Sequence, residues 1–96
     1  MQYYDIAGTG LRIRKMRIHA EMTQEQLAQR LAIHFNHLSR IERGQCGISM
    51  DLAVAISQEF QISLDFLILG KENQTDLVKQ KIYGLIGSLE EVAKTL

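Results

Sequence analysis

The sequence predicts an all-α fold, a five-helix domain followed by a helical tail. Three observations carry this. No proline occurs among the 96 residues. Apolar residues recur at spacings of three and four rather than two, the period of helices with one buried face. The tetrad Thr23-Gln24-Glu25-Gln26 is a capping box, in which a Thr hydroxyl and a Gln side chain satisfy each other's free backbone N–H groups at a helix start.

The elements follow in order. After an N-terminal arm over residues 1–9, a first helix is expected from about Gly10 to Ala20, with Leu11, Ile13, Met16 and Ile18 inward. The second starts at Thr23 and buries Leu27, Ala28 and Leu31. The third spans about Phe35 to Arg43, turns Leu38 and Ile41 inward, and stops at Gly44, which tolerates the left-handed conformation of a helix end. Ser49 has the side chain of an N-cap for the fourth, whose inward set is Met50, Ala53, Ile56 and Phe60. Ser63 caps a short fifth helix, LDFLIL, closed by Gly70. Residues 10–70 thus form the domain and residues 71–96 the tail. Beyond the polar run KENQTD, Val78, Ile82, Leu85, Leu89, Val92 and Leu96 step by four and three alternately, a heptad seam. Gly84 and Gly87 interrupt it and Ser88 offers a new cap, so one helix and two short ones are both open.

Composition narrows the function. A chain of this length supports one core. No apolar run approaches the ~20 residues of a membrane span, and the N-terminus lacks the layout of a signal peptide, so a cytoplasmic protein is expected. The single cysteine, Cys46, excludes a disulfide framework. Formal net charge is zero, but its distribution is uneven. The first fifty residues carry Arg12, Arg14, Lys15, Arg17, Arg30, Arg40 and Arg43 against four acids, whereas the remainder is acidic by as much. Such a molecule can present a positive face to a polyanion. No nucleophile with a placed base, phosphate-binding loop or metal set is evident, so neither an enzyme nor a cofactor is expected. His34 and His37, with Cys46 near in sequence, fall short of the four ligands of a closed zinc site. Cys46 is taken as a plain loop cysteine rather than a redox switch.

The second and third helices are separated by Ala32, Ile33 and His34, enough only for a tight turn. Two short helices joined in this way match a helix-turn-helix, whose second helix lies in the DNA major groove. The stretches RIRKMR, MTQEQLAQRLAI, LSRIERG and FQISLDFLILG then resemble the Cro and phage-repressor type of helix-turn-helix regulator, the xenobiotic-response-element family, over residues 10–70. The resemblance implies a lambda-repressor-like five-helix domain that binds double-stranded DNA, mostly as a dimer. It also implies roles at matching positions: Phe35, Asn36, Ser39 and Arg40 facing bases, Gln24, Arg43 and Gln45 on phosphates, and Arg17 with Glu42 as a structural ion pair. The chemistry of two of these is independent of it. Asn36 can pair with adenine and Arg40 with guanine through two hydrogen bonds each, and their spacing of four puts them on one face.

Some positions depart from the family pattern. Ala32 and Gln61 stand where glycine is common, implying non-glycine residues at φ > 0 at about 1–2 kcal/mol each. His34 replaces the usual Ser or Thr cap of the third helix, so a less firmly fixed start is expected. Phe35 has two readings, contact with a thymine methyl or packing against protein. Arg12, Arg14 and Lys15 are expected in solvent, with occasional phosphate contact. The functional expectation is a sequence-specific transcriptional regulator, a repressor occupying a palindromic operator as a homodimer through its tail. Two alternatives stand beside it: an antitoxin or restriction-modification controller working with a protein partner, and a protein-interaction module without DNA binding.

Overall fold

In the computed structural model, residues 4–71 are described, and among them there are five helices and no strand. They are α1 (Ile6–His19), α2 (Gln24–Arg30), α3 (Phe35–Glu42), α4 (Met50–Phe60) and α5 (Asp65–Leu69). The apolar seam beyond Lys71 and the glycines within it lie outside the described residues. The core takes Ile13 from α1, Leu27 and Ala28 from α2, Leu38 and Ile41 from α3, Leu52, Ala53 and Ile56 from α4, and Leu67 from α5. α3 packs against both α1 and α2, and α5 closes on α1 and α4.

The expected starts of α2 and α4 are present as hydrogen bonds. The Gln26 N–H donates to Thr23 Oγ1 at 3.1 Å and the Thr23 N–H to Gln26 Oε1 at 2.9 Å, both halves of the capping box. Ser49 Oγ accepts the Leu52 N–H at 3.1 Å. Ser63 Oγ accepts the Phe66 N–H at 3.0 Å at the entry to α5. That helix is a single wide π turn, ended by Gly70 at φ 71°.

α1 departs from expectation at both its start and its face. It begins at Ile6, so residues 6–9 belong to the helix and not to the arm. Its buried residues are Thr9, Gly10 and Ile13, whereas Leu11 and Ile18 are 47% and 55% exposed. The cause is a close crossing with α3: a Cβ on Gly10 would collide with the carbonyl oxygen of Ile41. Only small residues fit at that crossing, so α1 buries Thr9 and Gly10 along with Ile13, and Leu11 and Ile18 fall on the outer side. On α4 the expected inward Met50 is 72% exposed and Leu52 is buried instead.

All four α-helices end alike. Glu21, Ala32, Gly44 and Gln61 adopt φ of 56°, 55°, 74° and 54°. In each case the following N–H reaches back to a carbonyl one turn inside the helix: Met22 to Arg17, Ile33 to Ala28, Gln45 to Arg40 and Ile62 to Ser57, at 2.9–3.1 Å. This is the Schellman closure. It explains how Ala32 and Gln61 are tolerated, and adds Glu21, which nothing in the sequence singled out.

Two substitutions should therefore move stability in opposite directions. Gly10→Ala, although it improves helix propensity, should cost about 1–3 kcal/mol or more by overpacking against Ile41. Ala32→Gly should stabilise by up to about 1 kcal/mol, the relief of left-handed strain less the added unfolded-state entropy. Urea unfolding midpoints of the two variants and the wild type test both.

Candidate nucleic-acid interface

α3 is divided sharply between two faces. Leu38 and Ile41 are buried to 1% exposure or less. Phe35, Asn36, His37, Arg40 and Arg43 are exposed, with Ser39 half-buried between the faces. Asn36 and Arg40 share one stripe, with Arg43 a turn further on. The side chains of Asn36 and Arg40 make no hydrogen bond or ion pair with the described residues, which leaves their full donor sets available. Arg43 is partly engaged, its Nε donating to the Ser39 carbonyl at 3.3 Å. Phe35 is 38% exposed, neither tucked into the core nor fully in solvent.

The orientation of this surface is set from below by Glu42, whose side chain is 1% exposed. Arg17 Nε donates to Glu42 Oε2 at 2.8 Å and Arg17 Nη2 to Oε1 at 3.0 Å, a bidentate pair. Gln24 Nε2 donates to the same Oε1 at 3.1 Å, and Arg17 Nη1 to the Met22 carbonyl at 2.9 Å. One carboxylate thus ties α3 to α1 and to the first residue of α2. Glu42 takes one of the two Gln24 amide hydrogens; the other is not used among the described residues.

The turn between α2 and α3 is fixed at both ends. Ala32 closes α2 as described, and His34 begins α3 with its Nδ1 accepting the Asn36 N–H at 3.1 Å. The expectation of a loosely fixed start is corrected: the imidazole supplies the acceptor that a Ser or Thr hydroxyl would.

A second correction concerns the basic run of α1. Arg12 is not a solvent-facing cation. Its Nε donates to the Leu67 carbonyl and its Nη2 to that of Ile68, both at 3.0 Å, so it caps the open end of α5. Arg14 and Lys15 are exposed. Arg30 pairs with Glu59 of α4 at 2.7 Å. A contact not legible from residue spacing lies at the other end of α3, where the Tyr4 hydroxyl accepts the Ile48 N–H at 2.8 Å and pins the segment ahead of α1 to the α3–α4 loop. In that loop Cys46 is a free thiol packed against the core, and Gln45 is exposed. Among the described residues no three His, Cys, Asp or Glu side chains gather as a metal set, and no helix is long and apolar enough to cross a membrane.

The helix-turn-helix family model matches residues 13–67, more than half of the chain. A transcriptional regulator of Bacillus subtilis, the HTH-type regulator ImmR, is 31% identical over 86 residues, covering 85% of this chain and 68% of its own length. The P22 c2 repressor, solved in complex with a synthetic operator, superposes with a TM-score of 0.62 at 27% identity, covering 66% of this chain and 96% of that one. The restriction-modification controller protein C.AhdI from Aeromonas hydrophila superposes at 0.61 and 25% identity, over 67% and 97%. The chain belongs to the helix-turn-helix family and is a DNA-binding transcriptional regulator of the Cro and phage-repressor type. That family is a class of regulators rather than of enzymes.

If Glu42 orients the interface through a buried pair, breaking the pair from one side should be costly. Glu42→Ala should lose about 3–5 kcal/mol, because it strands the Arg17 guanidinium. The double variant Arg17→Met, Glu42→Leu should recover most of that loss. Chemical denaturation of the single and double variants gives both numbers.

Proposed function

We propose that the chain is a sequence-specific repressor that occupies a palindromic operator as a homodimer, in the cytoplasm. Phe35, Asn36, Ser39 and Arg40 meet base edges in the major groove, and Gln24, Arg43 and Gln45 hold the flanking phosphates. The observation that supports this most is the division of α3: its inner face is fixed by the core and by Glu42, while the side chains of Asn36 and Arg40, four residues apart on the outer one, have no polar partner among the described residues. For a helix laid in a groove these are the residue types that make bidentate pairs with adenine and guanine. Phe35, with no hydrogen bond to offer, fits a thymine methyl.

Dimerisation is assigned to residues 71–96, on the strength of the apolar seam from Val78 to Leu96. An isologous pair would set two recognition helices about one DNA turn apart, matching a two-fold symmetric site. The similarity to a restriction-modification controller favours a second reading, in which the same operator binding serves a gene pair and a protein partner. The identity of the neighbouring genes separates the two.

Selection of bound duplexes from random DNA, run on three proteins, tests the assignment of contacts. Arg40→Ala should relax the preference at one base position, a loss of about 1–3 kcal/mol in discrimination, and leave the other positions intact. Arg43→Ala should weaken all sequences alike and lower the slope of log affinity against log salt by about one. An unchanged selected site for Arg40→Ala removes Arg40 from the readers, and a wild type that binds no duplex at low salt removes DNA binding itself. For the tail, a chain ended at Gly70 should sediment as a monomer where the full chain is a dimer; a dimeric truncation moves the interface into residues 1–70.

A further inference from the structure

His34 does more at the head of α3 than cap it. Its Nδ1 accepts the Asn36 N–H at 3.1 Å, so that nitrogen carries no proton and the neutral ring holds its hydrogen on Nε2. Nε2 makes no hydrogen bond with the described residues, and the residue is exposed. The capping bond also fixes the ring, so the Nε2–H points outward from the helix start in a set direction and loses little freedom on meeting a partner. As a cap alone, histidine is an odd occupant, because Ser, Thr, Asp and Asn are the preferred N-caps. What imidazole adds over a hydroxyl or carboxylate is reach: a donor on the far edge of a rigid ring, one residue before Phe35 and two before Asn36.

We infer that His34 is a DNA-backbone contact, its Nε2–H donating to a phosphate oxygen beside the groove that α3 enters. This inference rests on the operator-binding reading above. One ring then performs two tasks, holding the first turn of α3 and registering that turn on the sugar-phosphate backbone. Because the donor is neutral, the contact adds position rather than counterion release, unlike those of Arg43.

The test separates capping from contact. His34→Ser and His34→Asn both keep an acceptor for the Asn36 N–H and remove the distant donor. Both should unfold at urea concentrations equal to or above that of the wild type, yet bind the selected duplex about 3- to 10-fold more weakly with the same sequence preference. A series of duplexes, each with one phosphate replaced by methylphosphonate, identifies the partner. One replacement should weaken the wild type several-fold and leave His34→Ser unaffected, which a purely structural role would not produce. Wild-type affinity in both variants, or a loss in His34→Ser that persists equally against every methylphosphonate duplex, overturns the inference. A wild type that binds no duplex at low salt is a distinct result: it removes the operator-binding reading, and the inference with it.

Discussion

Glu42 sits at the last turn of α3 with its carboxylate out of water, and the surface proposed to face DNA is placed relative to it. A buried carboxylate is tolerable only if its lone pairs are filled, and here Arg17 fills two and Gln24 a third. Those donors come from different helices, so satisfying one charge requires α1, α2 and α3 to meet in a single arrangement. The Arg17–Met22 bond extends the constraint to the α1–α2 turn. Hydrophobic contacts between the same helices are non-directional and would accept small rotations of α3. A bidentate pair would not, and a rotation of one residue's worth of arc would turn Asn36 and Arg40 off the groove in which they are proposed to sit.

The helix ends do the rest of the positioning. With turns this short, four α-helices must reverse direction within a few residues, and the left-handed residue followed by a back-bonded N–H achieves that. After three of the four ends the next residue is apolar, Met22, Ile33 or Ile62, and packs on the core. Apolar contact at this place commonly accompanies the closure and here compensates for holding Glu21, Ala32 and Gln61 in a strained conformation. The end of α3 is the exception on both counts. It uses glycine, and the next residue is the exposed Gln45, so the one helix proposed to enter the groove keeps its terminal side chain free for solvent or DNA.

What could be read from the sequence was whatever rests on local spacing. The capping box at Thr23, the Ser49 cap, the core faces of α2 and α3, and the positive φ of Ala32 and Gln61 all depend on neighbours within a turn. Misreadings arose where a residue's role is decided by something distant in the chain. Leu11 and Ile18 look inward by period, but the approach of Ile41 to Gly10 dictates which side of α1 is buried. Arg12 belongs to a basic run by sequence and to the carbonyls of Leu67 and Ile68 by structure. His34 is the local exception: its residue type is an uncommon cap, yet its ring nitrogen accepts the N–H of Asn36 two residues on and serves the same purpose.

These placements change the meaning of the charge distribution. The surplus of cations in the first fifty residues suggests a broad positive field, but much of it is spent inside the domain. Arg17 is neutralised by Glu42, Arg30 by Glu59, and Arg12 is turned onto backbone carbonyls. On the proposed DNA-facing side this leaves Arg40 and Arg43, aided by the partial positive charge at the start of α3. With two such cations per protomer, the proposed homodimer would neutralise about four phosphates, so sequence-independent attraction is modest and salt-sensitive. Discrimination between operator and bulk DNA then has to come from the contacts that only the correct site completes, those proposed for Asn36 and Arg40, and such contacts are strong only if the helix carrying them cannot turn. The buried charge of Glu42 is therefore what allows a nearly neutral protein to work as a sequence-specific one.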